Sequence, residues 1–400
     1  MKILVLNSGS SSIKFQLFDD TDWTVLASGS VTRIAEPEGR LVRRWVDADG
    51  MARACEDASP VENHHVGLKR IIDGLRDSAV LGDLAELRAV GHRVVHGGEA
   101  FHAPTLVDDR VVATIREMIP LAPLHNPANL DGILVARELF PAVPQVAVFD
   151  TAFHQTMPAS AYRYALPEFL YAEHRVRRYG FHGTSHRYVA ERAARLLGKA
   201  PGQCNLITLH LGNGASAAAI RNGDSVDTSM GMTPLEGLVM GTRCGDLDPA
   251  IHFYLCENLG LDNDTLDALL NRRSGLLGLC GANDMREVHR RADDGDAKAE
   301  LALAVTAYRL KKYIGAYSAV LGRVDALVFT GGIGENDADI RARACGGLAA
   351  MGIDLDVARN AADDHAERDI ASDGSRVRVL VVPTDEELEI ARQALQAVGP

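Results

Sequence analysis

Asn7-Ser8-Gly9-Ser10-Ser11-Ser12, with Lys14 just beyond, crowds backbone N–H groups and hydroxyls into a stretch with few bulky side chains. Donors converging in this way can cradle phosphate, and the lysine adds a point charge. On this stretch alone, an ordinary Ser/Gly hairpin accounts for the residues at least as well. Related patterns recur at Gly212-Asn213-Gly214-Ala215-Ser216 and at Thr330-Gly331-Gly332-Ile333-Gly334-Glu335-Asn336, each directly after an apolar run. One Gly-rich turn is weak evidence, but three are stronger, because turns from two domains can close on one polyphosphate. Asp284-Met285-Arg286 opens a helix whose N–H groups can face a ligand. Arg93, Arg243 and the carboxylates Asp150 and Glu386 complete a set suited to phosphate and Mg²⁺. Glu386 also suits a helix's first turn through the dipole alone, and Asp150 serves equally as a cap or turn residue. His182 and His186 are four apart with no Glu between them, so a metal pair is not expected. His182, in a glycine-flanked loop, is the better ligand contact, and the helical His186 reads as structural. No GxxxxGK[ST], HRD or DFG occurs, which excludes P-loop enzymes and protein kinases.

These residues need elements to position them. Residues 3–6 are a continuous apolar run, expected as a buried strand, and residues 13–18 resume strand character after the serines. Residues 19–50 suggest hairpins extending that sheet, and residues 66–75 an amphipathic helix. A strand over 89–95 places Arg93 and Val95 near its end. A proline-bounded loop over 121–127 leads into a helix over 128–140. The strand 143–149 ends on Asp150, where α/β folds place ligands. A helix is expected over 185–197, then strands over 205–211 and through 220, which repeat the opening design and suggest a duplicated fold. The glycine-rich segment 227–246, holding Arg243, reads as a functional or mobile loop. Helices are expected over 246–256, 261–270, 297–321 and 386–395, with a strand over 377–382.

At 400 residues the chain exceeds the usual size of one core, and two domains are expected. Its net charge of -12 argues against nucleic acid as a partner, and no apolar run approaches a membrane span. The six cysteines contain no CxxC pair, and no signal core follows Lys2. Both features suit a reduced, cytoplasmic setting better than a disulfide framework.

Asn7-Ser8-Gly9-Ser10-Ser11-Ser12-Ile13-Lys14, His92-Arg93-Val94-Val95-His96-Gly97-Gly98, Phe181-His182-Gly183-Thr184-Ser185-His186, His210-Leu211-Gly212-Asn213-Gly214, Met230-Gly231-Met232-Thr233-Pro234-Leu235-Glu236-Gly237 and Gly331-Gly332-Ile333-Gly334-Glu335-Asn336 together resemble the acetate kinase family, in order and across essentially the whole chain. The resemblance implies an α/β chain with a duplicated ribonuclease-H-like (actin-like ATPase) fold, two domains with a nucleotide cleft between them. Residues 1–150 with 386–400 would form the first domain. Residues 151–385 would form the second, carrying most of the ATP site and a homodimer interface. It further implies Mg²⁺-dependent, direct in-line transfer of the ATP γ-phosphoryl group to acetate. Asn7 and Glu386 would hold Mg²⁺ (Mn²⁺ being the alternative), and Lys14 would contact phosphate. His210, Leu211, Gly212, Asn213, Gly214, Asp284, Met285, Arg286, Gly332, Ile333, Gly334, Glu335 and Asn336 would form the ATP site. Arg93 would bind the carboxylate, and Asp150 would be the catalytic carboxylate. His182 and Arg243 would stabilise the transition state, while Val95, Leu124, Phe181 and Pro234 would line the methyl pocket.

Acetate is ionised near neutral pH and needs no base, so Asp150 is expected to orient Arg93 or the metal shell. Two departures stand out. Thr384-Asp385-Glu386-Glu387 replaces the usual Thr-Asn-Glu-Glu, which leaves open which acid reaches the metal. Gly278-Leu279-Cys280-Gly281-Ala282-Asn283-Asp284 is one residue short of the family pattern, so base preference is less defined than phosphate binding. The rival readings are a propionate or butyrate kinase, which Val95 disfavours, and an actin- or chaperone-type ATPase without an acyl acceptor.

Overall fold

In a computed structural model, which describes residues 1–47, 49–123 and 125–399, the chain divides into two compact units. The first comprises residues 1–153 and the stretch from 385 onward, and the second residues 154–384.

The first unit's sheet contains β1 (Lys2–Gly9), β2 (Ser12–Asp19), β3 (Val25–Thr32), β4 (Arg40–Val46), β5 (Ala52–Asp57), β6 (Leu87–Val94), β7 (Thr105–Leu106) and β8 (Gln145–Phe149). Their order is β5-β4-β3-β2-β1-β6-β8-β7, with β6 parallel to β1 and β8 parallel to β6. The expected hairpins are β3 to β5. The continuous apolar run of β1 has a plain cause, since both of its faces are covered. Leu4 and Leu6 pack with Leu68, Ile71 and Leu75 of the helix His64–Asp77. Ile3 and Val5 pack with Ile390, Ala391 and Ala394 of the last helix, Glu386–Val398. Gly91 in β6 allows that helix to approach, because a Cβ there would lie 2.9 Å from Ile390 Cγ2. Gly9 pairs with Ser12, so Ser10 and Ser11 alone make the turn.

The second unit's sheet contains β9 (Asn205–Leu211), β10 (Ala215–Arg221), β11 (Asp224–Thr228), β12 (Ala326–Thr330), β13 (Arg368–Asp369) and β14 (Arg378–Val381), in the order β11-β10-β9-β12-β14-β13. Its first five strands repeat the β3-β2-β1-β6-β8 arrangement. In both sheets an antiparallel meander is followed by two strands parallel to its first member. The two serine and glycine turns, β1–β2 and β9–β10, are therefore topological equivalents, and the chain carries the ribonuclease-H-like fold twice.

Two local expectations are corrected. Gly331–Asn336 is a short helix, not a turn; Gly331 takes φ +75° and the Glu335 carboxylate accepts its N–H at 2.8 Å. The helix expected from residue 246 begins only at Ala250, behind Pro249, and runs to Leu259. Asp246 is held outside it by the Gly237 N–H and the Tyr313 hydroxyl, both at 2.9 Å.

One buried histidine gives the first unit a pH-dependent stability. His92 in β6 donates from Nε2 to Gln145 Oε1 at 2.8 Å, while the Gln145 amide nitrogen donates to the Val143 carbonyl. Burial pulls His92 down to about 4 from an ordinary 6.5. Between those values the unfolded chain binds a proton that the folded chain does not. Stability is therefore complete above the ordinary value and falls with pH through this window, by about 3 kcal/mol from His92. Urea unfolding at pH 7 and pH 4.5 should show His92→Gln losing less stability than the unsubstituted protein. Equal losses would remove His92 from the account.

Candidate active site

Each unit gathers part of the expected chemistry. In the first, Asn7 on β1 lies opposite Lys14 on β2, which puts amide and ammonium at neighbouring positions. Arg93 comes from the end of β6 and Asp150 from just past β8, parallel neighbours that end together. Asp150 is 1% exposed and accepts from Arg93 Nε at 3.1 Å and Nη2 at 2.7 Å. Burial opposes the charge on Arg93, but Asp150 and Glu386 outweigh it and hold the guanidinium above its ordinary range. The Nε/Nη2 edge is thus committed, leaving the Nη1 end for a ligand.

Glu386 opens the last helix with its Oε2 3.8 Å from Arg93 Nε. Burial raises its pKa; Arg93 and Lys14 pull it down, and Asp150 and Asp385 push it up. A carboxyl in this position favours a further cation. Asp385, the departure from the family pattern, caps the helix by accepting the Leu388 N–H at 2.9 Å. That bond asks for a side-chain oxygen, which Asn or Asp provides equally. Glu386 is thus the acid beside Arg93. Val95 follows β6 and donates its N–H to Asn129 Oδ1 at 3.0 Å. Leu124 lies outside the described residues.

In the second unit, His182 caps the helix Gly183–Leu196 at φ +57°, which turns its ring toward β9 and β10. The ring stacks on His210 at 4.3 Å, and its Nδ1 lies 2.9 Å from Ser216 Oγ. A Cβ built on Gly214 would lie 3.5 Å from His182 Nε2 and 3.4 Å from Arg243 Nη1. Both groups therefore converge over the Gly212–Gly214 turn, where glycine leaves room. Arg243 makes no ion pair among the described residues; its Nη1 reaches only the Pro234 carbonyl at 3.5 Å and Met240 Sδ at 3.7 Å. Burial alone pulls its pKa below the ordinary guanidinium value. A half-buried arginine with no acid partner is a site for an anion.

The loop carrying Pro234 and Arg243 is pinned rather than loose. Arg178 donates to the Thr228, Ser229 and Met230 carbonyls and pairs with Glu236, which also accepts the Tyr164 hydroxyl. Arg309 holds the Gly237 carbonyl at 2.8 Å. Phe181 is buried at the start of this region.

Of the expected nucleotide residues, Gly212, Asn213, Asp284, Met285, Arg286, Gly332, Ile333 and Asn336 line one cavity of about 1250 Å³. Asp284 caps the helix Met285–Asp293, as the sequence suggested. His210, Leu211, Gly214, Gly334 and Glu335 do not line this cavity. His210 bonds Ser185 Oγ at 2.8 Å. Glu335 accepts the Gly331 and Thr384 N–H groups at 2.8 and 3.2 Å and so braces the loop. Asn283, His289, Asp337 and Arg343 also line the cavity and were not foreseen. His289 follows Met285 by one helical turn, the signal that could have marked it.

The oxygens the first unit offers a cation are hard ones, the Glu386 carboxylate and the Asn7 amide, and Asp150 adds its charge near Glu386. No group of three or more His, Cys, Asp or Glu among the described residues could hold an ion alone. Hard oxygen donors of this kind suit Mg²⁺, which takes one or two protein oxygens and completes its shell with water and substrate phosphate.

A model of the Acetokinase family matches residues 2–392. An acetate kinase of Leifsonia xyli subsp. xyli is 58% identical over 399 residues, covering 99% of each protein. The crystal structure of Porphyromonas gingivalis acetate kinase superposes with a TM-score of 0.93 at 45% identity over 100% of both chains. A propionate kinase from Francisella tularensis subsp. tularensis gives 0.90 at 43% identity over 98% of each.

Proposed function

Because this chain belongs to the acetokinase family, we infer that it is a carboxyl-acceptor phosphotransferase that moves the ATP γ-phosphoryl group reversibly to acetate. The observation that carries the reading is the convergence of His182 and the unpaired Arg243 over the Gly212–Gly214 turn. Phosphoryl transfer asks for positioning and for positive charge on the equatorial oxygens. An acetate oxygen forms the new P–O bond as the bond to the ADP oxygen breaks, and no proton need move. Arg93, oriented by Asp150, offers its Nη1 end to the acid. Arg243 and His182 face the charge that develops on phosphorus. The cavity lined by Asn213, Asp284, Arg286 and Ile333 takes the nucleotide. Glu386 and Asn7 would hold Mg²⁺, which when bound neutralises phosphate charge.

Partners and setting belong to the same proposal. A homodimer is supported by the helix Ala250–Leu259, whose Phe253, Tyr254 and Leu259 are 64%, 61% and 62% exposed. Sedimentation as a single 43.0 kDa species would end that reading. A cytoplasmic setting is supported by the six cysteines, all free thiols. Among the described residues, no helix is long and apolar enough to cross a membrane.

The test is acyl phosphate formation with Mg-ATP and acetate, propionate, butyrate or no acid, trapped with hydroxylamine. Acetyl hydroxamate well above the other acids is expected; ADP release indifferent to every acid would sink the reading. The likeness to a propionate kinase sets the second reading, and Val95 separates the two. One methylene is worth ~1–3 kcal/mol in such a pocket. Val95→Ala should therefore raise kcat/KM for propionate relative to acetate by about tenfold. An unchanged ratio would remove Val95 from the acyl pocket.

A further inference from the structure

Behind His182 runs a chain of buried polar side chains that the reaction as derived does not use. His186 Nδ1 lies 2.7 Å from Thr208 Oγ1, and its Nε2 lies 2.7 Å from Ser216 Oγ. Ser216 Oγ lies in turn 2.9 Å from Nδ1 of His182. Thr208, His186 and Ser216 are each 0% exposed, and their side chains have no other hydrogen-bond partner among the described residues.

Those facts determine the direction of every proton in the chain. A buried hydroxyl that only accepted would leave its own proton unmet, the costlier way to be unsatisfied. The Thr208 hydroxyl therefore donates to His186 Nδ1. Burial, with His154 and His210 close by, holds His186 well below its ordinary pKa and so neutral. Its one proton then sits on Nε2 and goes to Ser216 Oγ. The Ser216 hydroxyl, with one remaining partner, donates to His182 Nδ1, and a nitrogen that accepts carries no proton. The surroundings of His182 agree, because the Arg243 guanidinium that meets it over Gly214 disfavours a positive charge on the ring.

We propose that Thr208, His186 and Ser216 form a one-way hydrogen-bond chain that holds His182 as the neutral tautomer with its proton on Nε2. That is the nitrogen facing the Gly214 turn beside Arg243. His182 then serves as a preset N–H donor to the phosphoryl oxygens, and Arg243 supplies the charge. Ser216, His186 and Thr208 are positioning residues. The catalytic part of this inference rests on the phosphotransferase reading; the tautomer does not.

Nitrogen-15 imidazole correlation spectra of the nucleotide-free protein test it, with His182 assigned by its disappearance in His182→Asn. A protonated Nε2 and bare Nδ1 on His182 are expected; a protonated Nδ1 overturns the proposal. Ser216→Ala should lose the fixed tautomer and lower kcat about tenfold, with KM for ATP and acetate within about threefold. An unchanged kcat, or a loss matched by a rise in either KM, overturns the positioning role. Absence of acetyl phosphate from the unsubstituted protein would defeat the functional reading and the catalytic half of this one, while the tautomer stands or falls on the spectrum.

Discussion

Replacing Arg243 by alanine is expected to lower kcat by about a thousandfold, on the order of 4 kcal/mol of transition-state stabilisation. KM for acetate and ATP should move only a few-fold, since the charge Arg243 meets is largest during transfer. Stability should hold or rise slightly. Arg243 is half-buried without an acid partner, so removing it strands no carboxylate and relieves a desolvated charge. Steady-state kinetics and thermal unfolding on the same preparation decide the matter. Lost activity with a large fall in Tm would mean that Arg243 supports its loop instead of the reaction.

Asp150→Asn should behave differently. Asp150 is almost wholly buried and grips Arg93 by two nitrogens, and Arg93 retains 22% exposure. Neutralising one partner of such a pair costs up to about 3–5 kcal/mol when both are buried; the partial exposure of Arg93 brings the expected loss to about 2 kcal/mol. The Nη1 end of Arg93 then loses its orientation, and kcat should fall about a hundredfold, the scale of a 1 Å misplacement. Because acetate needs no base, the pH profile should keep its shape. A missing ionisation limb in the variant would make Asp150 a proton carrier rather than an orienting group.

Much of the frame was legible in the chain. The continuous run at Ile3–Leu6 is buried on both faces, as such runs are in central strands. The apolar strand, small-residue turn and strand at both β1–β2 and β9–β10 anticipated the repeated sheet. Local patterns failed where a specific side-chain contact, near or far in the chain, intervened. Asp246 is taken up by Tyr313, sixty-seven residues away, and so stays out of a helix. The glycines after Thr330 coil into a helix because Glu335 folds back onto Gly331. In the sequence Ser216 reads only as the end of the Gly212–Ser216 turn, His186 only as a structural helix residue, and Thr208 carries no signal at all.

The sequence by itself determined the two copies of the fold, the order of the phosphate turns and which side-chain types are available to act. Arg93 and Arg243 read alike there, two arginines near small residues. Only the tertiary structure decided that one is neutralised by an aspartate fifty-seven positions away and the other by none. Periodicity and turn chemistry are local and survive in a string of letters. The energy of a charge or a proton depends on what stands within a few ångströms of it, and folding alone sets that neighbour.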